Sequence, residues 1–237
     1  MATELPMQRH TVRSYDDDMN ELTGKIIQMG GLAEQQVAMA VQALSERDVD
    51  LAAKVIAGDR QVDALEEEID QAVVRLLARR QPMAVDLRII AMALKISNDL
   101  ERTSDYAKGI AKRARVLADK PELKPLITIP LMAETCQEML KQVLDAYVER
   151  DDAKAMAVWE RDEEVDSQYD QLFRELLTYI IEDPRKTSIC IDLLFCAKNL
   201  ERIGDHATNI AEKIHYMIHG SQINRSRKGG KAEADAK

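Results

Sequence analysis

The sequence predicts an all-α chain built as two tandem antiparallel three-helix bundles, six long helices in all. Three observations predict it. Gly (9) and Pro (6) are scarce in 237 residues and aromatics make up only 4%, too few turn and strand formers for an all-β fold. Apolar residues recur in steps of four and three, the stripe of a helix packed lengthwise on its neighbours. The second half of the chain repeats the first.

The elements follow in order. The first helix, 14–46, closes at Glu46-Arg47-Asp48, a tight helix-to-helix turn. The second, 48–80, carries the stripe Val62, Leu65, Ile69, Val73, Leu76. Pro82 opens the third, 82–118, since a proline at a helix start gives up an N–H that has no partner anyway. Its stripe is Ile89, Ala93, Ile96, Leu100, Thr103, Ala107, Ile110, Ala114, Leu117. At ~1.5 Å per residue this helix is roughly 55 Å long. Pro121, Pro125 and Pro130 form the densest breaker cluster and mark a middle linker, 119–126, between a first unit, 14–118, and a second, 127–219. The fourth helix, 127–149, ends at a second turn, Glu149-Arg150-Asp151, and the fifth, 151–182, has its stripe around Val165–Ile180. Pro184 opens the sixth, 184–219, with Ile189, Leu193, Cys196, Leu200, Ile203, Ala207, Ile210, Ile214, Met217 on one face and Gly220 as its C-cap. The polar remainder, 220–237, is expected to be disordered.

The repeat is specific. Leu100-Glu101-Arg102-Thr103-Ser104-Asp105-Tyr106-Ala107 returns as Leu200-Glu201-Arg202-Ile203-Gly204-Asp205-His206-Ala207, and Ile110-Ala111 as Ile210-Ala211. The Glu-Arg-Asp turn and the Asp59–Asp63 segment return 103 residues on, at 149–151 and Asp162–Asp166. The repeated unit is therefore a whole three-helix bundle.

The chain is acidic, with 33 Lys and Arg against 42 Asp and Glu and a net charge of −9. That balance excludes nucleic acid as a partner class. The longest fully apolar run, Ile89–Leu94, is far short of a membrane span, and Met1–His10 lacks the apolar core of a signal peptide, so the chain reads as cytoplasmic. Cys136, Cys190 and Cys196 fit that compartment as packing residues: their number is odd and there is no CxxC. No nucleotide-binding or hydrolase motif is present.

The acid has a pattern. Glu101 with Asp105 and Glu201 with Asp205 are each four apart, so both carboxylates share a helix face. The preceding helix of each unit carries Asp59 with Asp63, and Asp162 with Asp166, at the same spacing. Neighbouring antiparallel helices would bring four carboxylates together twice. Two unit charges at 4 Å are worth about 4 kcal/mol at an effective dielectric near 20, a repulsion that bound cations would offset. Oxygen-only ligand sets suit Mg²⁺, Mn²⁺, Ca²⁺ or iron better than a Cys/His zinc site. Ser104 and Gly204 are small and would leave the ligand face uncrowded. The plain alternative is a solvated acidic face, with Arg102 and Arg202 forming local ion pairs.

Other residues point less sharply. His206 is matched by Tyr106, which excludes a ligand role in both halves. Glu212-x-x-His215 has the spacing of di-iron bundles but no second copy. Met39, Met92, Met139 and Met217 fall on helix stripes as core filling, and Trp159 reads as a packing residue.

The segments Asn98–Asp105 and Lys198–Glu212 closely resemble the duplicated signature of the PhoU family, the phosphate-specific transport accessory proteins of bacteria. The resemblance covers about residues 14–219. It implies multinuclear metal sites at Asp59, Asp63, Glu101 and Asp105 and at Asp162, Asp166, Glu201 and Asp205. The metal would be a divalent or trivalent ion (Mg, Mn, Fe or Zn) that the sequence does not choose among. It further implies a negative regulator of the phosphate-starvation response, not an enzyme. Such a protein works between the ATPase of the phosphate ABC transporter and a sensor histidine kinase, as a homodimer that meets the membrane only through partners. The rival expectations are a carboxylate-bridged metal enzyme or metal-storage protein and a purely structural scaffold. The repeat departs at Asp99 against Asn199, Tyr106 against His206 and Gly109 against Asn209, which predicts first-half and second-half sites that differ. The basic tail Arg225–Lys231 lies outside the resemblance.

Overall fold

The computed structural model of the chain describes residues 7–121, 123 and 128–223, with side chains from Tyr15 on. Most of the tail and much of the linker lie outside the described residues. The helices are α1 (Met7–Glu46), α2 (Val49–Arg80), α3 (Val85–Ala118), α4 (Thr128–Glu149), α5 (Asp152–Glu160), α6 (Asp162–Glu182) and α7 (Thr187–His219), and no strand occurs among the described residues.

The two predicted turns form by the same hydrogen bonds. Arg47 and Arg150 take left-handed backbone (φ 58° and 53°). The next N–H reaches back five residues, Asp48 to the Ala43 carbonyl and Asp151 to that of Ala146, both at 3.0 Å. This closes the preceding helix, and the same aspartates cap the next one, Asp48 accepting from the Leu51 N–H and Asp151 from that of Lys154. Gly220 is the predicted C-cap (φ 72°), donating to the Tyr216 carbonyl at 2.8 Å.

Four boundaries differ from expectation, the first being the start of α1, at Met7 rather than 14. Pro82 does not open α3: Gln81 and Ala84 both have positive φ, so the proline sits inside a turn and the helix starts at Val85. Pro184 opens a single 3₁₀ turn, Pro184–Lys186, which leads into α7. The fifth helix is two helices. Arg161 donates its N–H to the Val158 carbonyl, three residues back, while its side chain pairs with Glu138 and Glu164. Asp162, Glu163 and Glu164 then start α6, where three carboxylates suit the positive end of a helix.

Helices α1, α2 and α3 pack on one another as one bundle, and α4, α5, α6 and α7 as the other. The predicted stripe of α3 is buried throughout, and that of α7 at every position but half-buried Leu193. The bundles join along α3 and α7, helped by α1 against α4. At that second contact a β-carbon on Gly30 would come 2.5 Å from Leu144 Cδ2, so glycine sets the close approach.

The three departures named above, Asp99 against Asn199, Tyr106 against His206 and Gly109 against Asn209, have members on the α3–α7 seam. Asp99, almost fully buried, takes His206 Nδ1 at 2.9 Å on one oxygen and pairs with Lys213 on the other. Tyr106 packs on the His206 ring with centroids 5.6 Å apart. Gly109 faces Asn199, whose Nδ2 would be 2.6 Å from an added β-carbon. Tyr106 and His206 are repeat equivalents that meet each other, while Asp99 meets residues 7 and 14 positions further along the repeat. The departures make the seam complementary, an acid against two bases, and they do so away from the carboxylate sets.

Candidate metal centres

In the first half, α2 supplies Asp59 and Asp63 and α3 supplies Glu101 and Asp105. Four-residue spacing places each pair on one face, and α2 packs on α3. Asp59 is buried, 3% exposed, and Asp63 lies further out. Ser104 Oγ donates to Asp59 Oδ1 at 3.1 Å, so this small residue holds a carboxylate as well as leaving room. Desolvation pushes the Asp63 carboxyl up, and the charges of Asp59 and Asp105 add to it. Burial raises Glu101 to about 7, reinforced by the charge of Asp105 and a hydrogen bond to it. Asp63 is thus in electrostatic reach of Asp59 and Asp105, and Glu101 of Asp105.

Two further residues belong to this set, and the spacing argument missed them. Lys108 reaches from α3 to Asp59 on α2 and lies 3.4 Å from Asp105. Its hydrogen bond to Asp59 outweighs burial and holds the ammonium above the usual lysine value. Glu66, on the Asp59–Asp63 face of α2, adds its charge to Glu101 and is itself pushed up, by desolvation first. Lys108 follows Asp105 by three, a spacing that also permits a purely local pair, so nothing local to the sequence points it at Asp59. Arg102 pairs with Glu101 at 3.5 Å and Asp105 at 3.7 Å; it is half exposed, so those contacts are weak.

In the second half, α6 supplies Asp162, its first residue, and Asp166, while α7 supplies Glu201 and Asp205. Burial raises the Asp205 carboxyl, and Glu201, Asp162 and Asp166 raise it further. Asp205 is therefore in electrostatic reach of the other three. Among the described residues, neither carboxylate set brings three ligand atoms within 4.8 Å of one another. Gly204 faces Val165 of α6, where an added β-carbon would sit in ordinary contact at 3.4 Å. The supporting residues differ from those of the first half. Thr208 stands where the repeat has Lys108, and its hydroxyl donates to the Asp205 carbonyl of its own helix. Lys198 pairs with Glu201 at 2.5 Å, also within α7, and lies over the Tyr169 ring.

The donor chemistry fits a hard or borderline cation in both sets, all oxygen and all anionic when ionised. In the first set the Lys108 ammonium already neutralises part of the charge, and a metal ion would have to displace it. In the second set Thr208 takes the position of that lysine.

The remaining sequence candidates have structural partners. The Trp159 indole donates to Glu212 at 3.1 Å, and Trp159 is buried, as a packing residue would be. His215 turns to Asp152 rather than joining Glu212. All three cysteines are buried and free. Met92, Met139 and Met217 are in the core, and Met39 packs at its edge.

The PhoU domain family matches residues 26–114 and again 129–214, one match per bundle. The chain belongs to the PhoU family. A "Phosphate-specific transport system accessory protein PhoU homolog" from Caulobacter vibrioides is 51% identical over 222 residues, 93% of this chain and 96% of that protein. The protein named "Phosphate-specific transport system accessory protein PhoU" from Escherichia coli K12 is 35% identical, covering 92% of this chain and 91% of its own length. The crystal structure of PhoU from Pseudomonas aeruginosa superposes with a TM-score of 0.85 at 39% identity, covering 87% of this chain and all of that one. The phosphate transport system regulatory protein PhoU from Streptococcus pneumoniae gives a TM-score of 0.83 at 26% identity, covering 89% and 99%. The PhoU fold is therefore the fold of this chain, repeat included.

Proposed function

We propose that this chain is a non-enzymatic regulator of phosphate transport that keeps the phosphate-starvation response off when phosphate is plentiful. It acts as an adaptor between the ATPase of the phosphate ABC transporter and a membrane sensor histidine kinase. It works in the cytoplasm, as a homodimer, and reaches the membrane through those partners. The observation that carries this reading is family membership along both halves, with relatives named as accessory and regulatory proteins of phosphate transport. No helix among the described residues is long and apolar enough to cross a membrane, which agrees with a partner-mediated route.

The two acidic sets hold divalent or trivalent cations in this reading. The cations would supply charge neutralisation. Asp59, Asp63, Glu101 and Asp105, with Asp162, Asp166, Glu201 and Asp205, bind them from paired helices. Each set then turns from an acidic face that repels acidic or polar partner groups into one on which they can dock.

Two experiments test this. A deletion strain is scored for phosphate-responsive gene expression at high phosphate; the reading expects high expression, restored to low by the intact gene, and expression that stays low refutes it. Glu101→Ala with Asp105→Ala should lower the metal content of the purified protein and weaken kinase binding. Unchanged metal stoichiometry in that variant removes the metal part of the proposal.

A further inference from the structure

Outside both carboxylate sets, the first residue of α5 meets the last turn of α7. Asp152 Oδ1 lies 2.8 Å from His215 Nδ1, and Asp152 Oδ2 lies 2.9 Å from His219 Nε2. The two imidazoles are four residues apart on one face of α7, with ring centroids 4.6 Å apart. One ligand atom from each of the three residues falls within 4.8 Å of the other two. Asp152 and His215 are partly buried, and His219 is nearly half exposed, so the cluster opens to water on one side.

We propose that Asp152, His215 and His219 form a binding site for a borderline divalent transition ion of the Zn²⁺ class. Two histidines at i and i+4 on a helix are a recurrent zinc-chelating pair, because that spacing points both rings at one spot. A carboxylate from a second helix completes a set of two imidazoles and one oxygen, which suits Zn²⁺, Ni²⁺ or Fe²⁺ over Mg²⁺ or Ca²⁺. With metal–ligand bonds of about 2.1 Å, donors at tetrahedral angles sit roughly 3.4 Å apart. The present spacings, from 2.8 Å for the closest contact up to 4.8 Å, bracket that value. The exposed side leaves room for water as a further ligand. The site differs in chemistry from the oxygen-only sets and goes beyond the proposed regulatory role. It would tie the nine-residue α5 to the end of α7, which the Trp159 to Glu212 hydrogen bond also links.

The test uses the untagged full chain, titrated with Zn²⁺ against a chromophoric chelator in excess Mg²⁺, with Co²⁺ as a spectroscopic probe. One equivalent of Zn²⁺ should stay bound, and Co²⁺ should show the ligand-field spectrum of nitrogen and oxygen coordination. Replacing even an outer partner of a metal ligand typically weakens affinity 10–100-fold. His215→Gln with His219→Gln should therefore weaken Zn²⁺ binding by at least 100-fold, while Glu201→Gln with Asp205→Asn leaves this equivalent in place. If the double histidine variant fails to fold by circular dichroism, His219→Gln alone, at the most exposed ligand, should still weaken binding 10-fold or more. The proposal is overturned if the wild type holds no Zn²⁺ against Mg²⁺, if the histidine variants bind it unchanged, or if the carboxylate variant alone abolishes it.

Discussion

Lys108→Met separates the two roles open to the first acidic set. Lys108 joins α3 to the buried Asp59 of α2 and also contacts Asp105. Breaking a fully buried ion pair costs 3–5 kcal/mol because a charge is left buried without a partner. Lys108 is about a quarter exposed and Ser104 still serves Asp59, which reduces the loss to about 2 kcal/mol. For a chain of this size each kcal/mol moves Tm by about 2–4 °C, so with chelator present the variant should melt about 4–8 °C below wild type. Divalent cations should then close the gap. Wild type must displace the ammonium to bind a metal ion, and a 2 kcal/mol displacement corresponds to roughly 30-fold in affinity. At 100 times its Kd a bound ion adds about 2.7 kcal/mol, so Mn²⁺ should recover all of the lost Tm in the variant. The second set contributes equally to both proteins, and the difference between their Mn²⁺-induced shifts therefore reports on the first. The assay is thermal unfolding by circular dichroism in chelator and across a Mn²⁺ titration. Equal metal-induced shifts in the two proteins would refute the reasoning, as would a variant that loses nothing in chelator.

Asp99→Asn restores the residue of the other repeat but leaves His206 and Lys213 without their acid, and urea unfolding should show a loss of about 2–4 kcal/mol; a loss under about 0.5 kcal/mol would mean that the seam does not depend on this charge. Burial holds the thiols of Cys136 and Cys196 up at about 12, so alkylation at neutral pH should be slow in the native protein and fast for all three cysteines in urea; rapid native labelling of either residue contradicts the packing described. In metal-free protein the Glu101 carboxyl is raised from 4.5 to about 7, so the folded state holds its proton after the unfolded chain has lost it. Stability from this group should therefore fall as pH rises from about 4.5 through about 7, and Glu101→Gln should flatten that slope; an unchanged pH profile in the variant would count against the burial of Glu101.

Local geometry explains which parts of this molecule were legible in the sequence. The stripe from Ile89 to Leu117 is a statement about 3.6-residue periodicity, and burial follows because a helix with one apolar face must cover it. The Glu-Arg-Asp turns are equally local: nine residues, from Ala43 to Leu51 and from Ala146 to Lys154, hold the whole hydrogen-bond pattern, and it forms twice. The break at Arg161 was missed because no glycine or proline marks it. Its signal is the run of three acids after it, which reads as a helix start once that is considered.

By itself the sequence determined the helices, the duplication and the spacing of each carboxylate pair, because all three depend on residues close together in the chain or on comparison of one half with the other. Only the tertiary structure decided that Lys108 crosses to Asp59, that Asp99 meets His206 and Lys213, and that Asp152 lies against His215 and His219. Those partners are 49, 107, 114 and 63 or more residues apart. Their meeting depends on which helix faces lie opposite and at what register, and that is settled by the packing of whole stripes rather than by any short pattern.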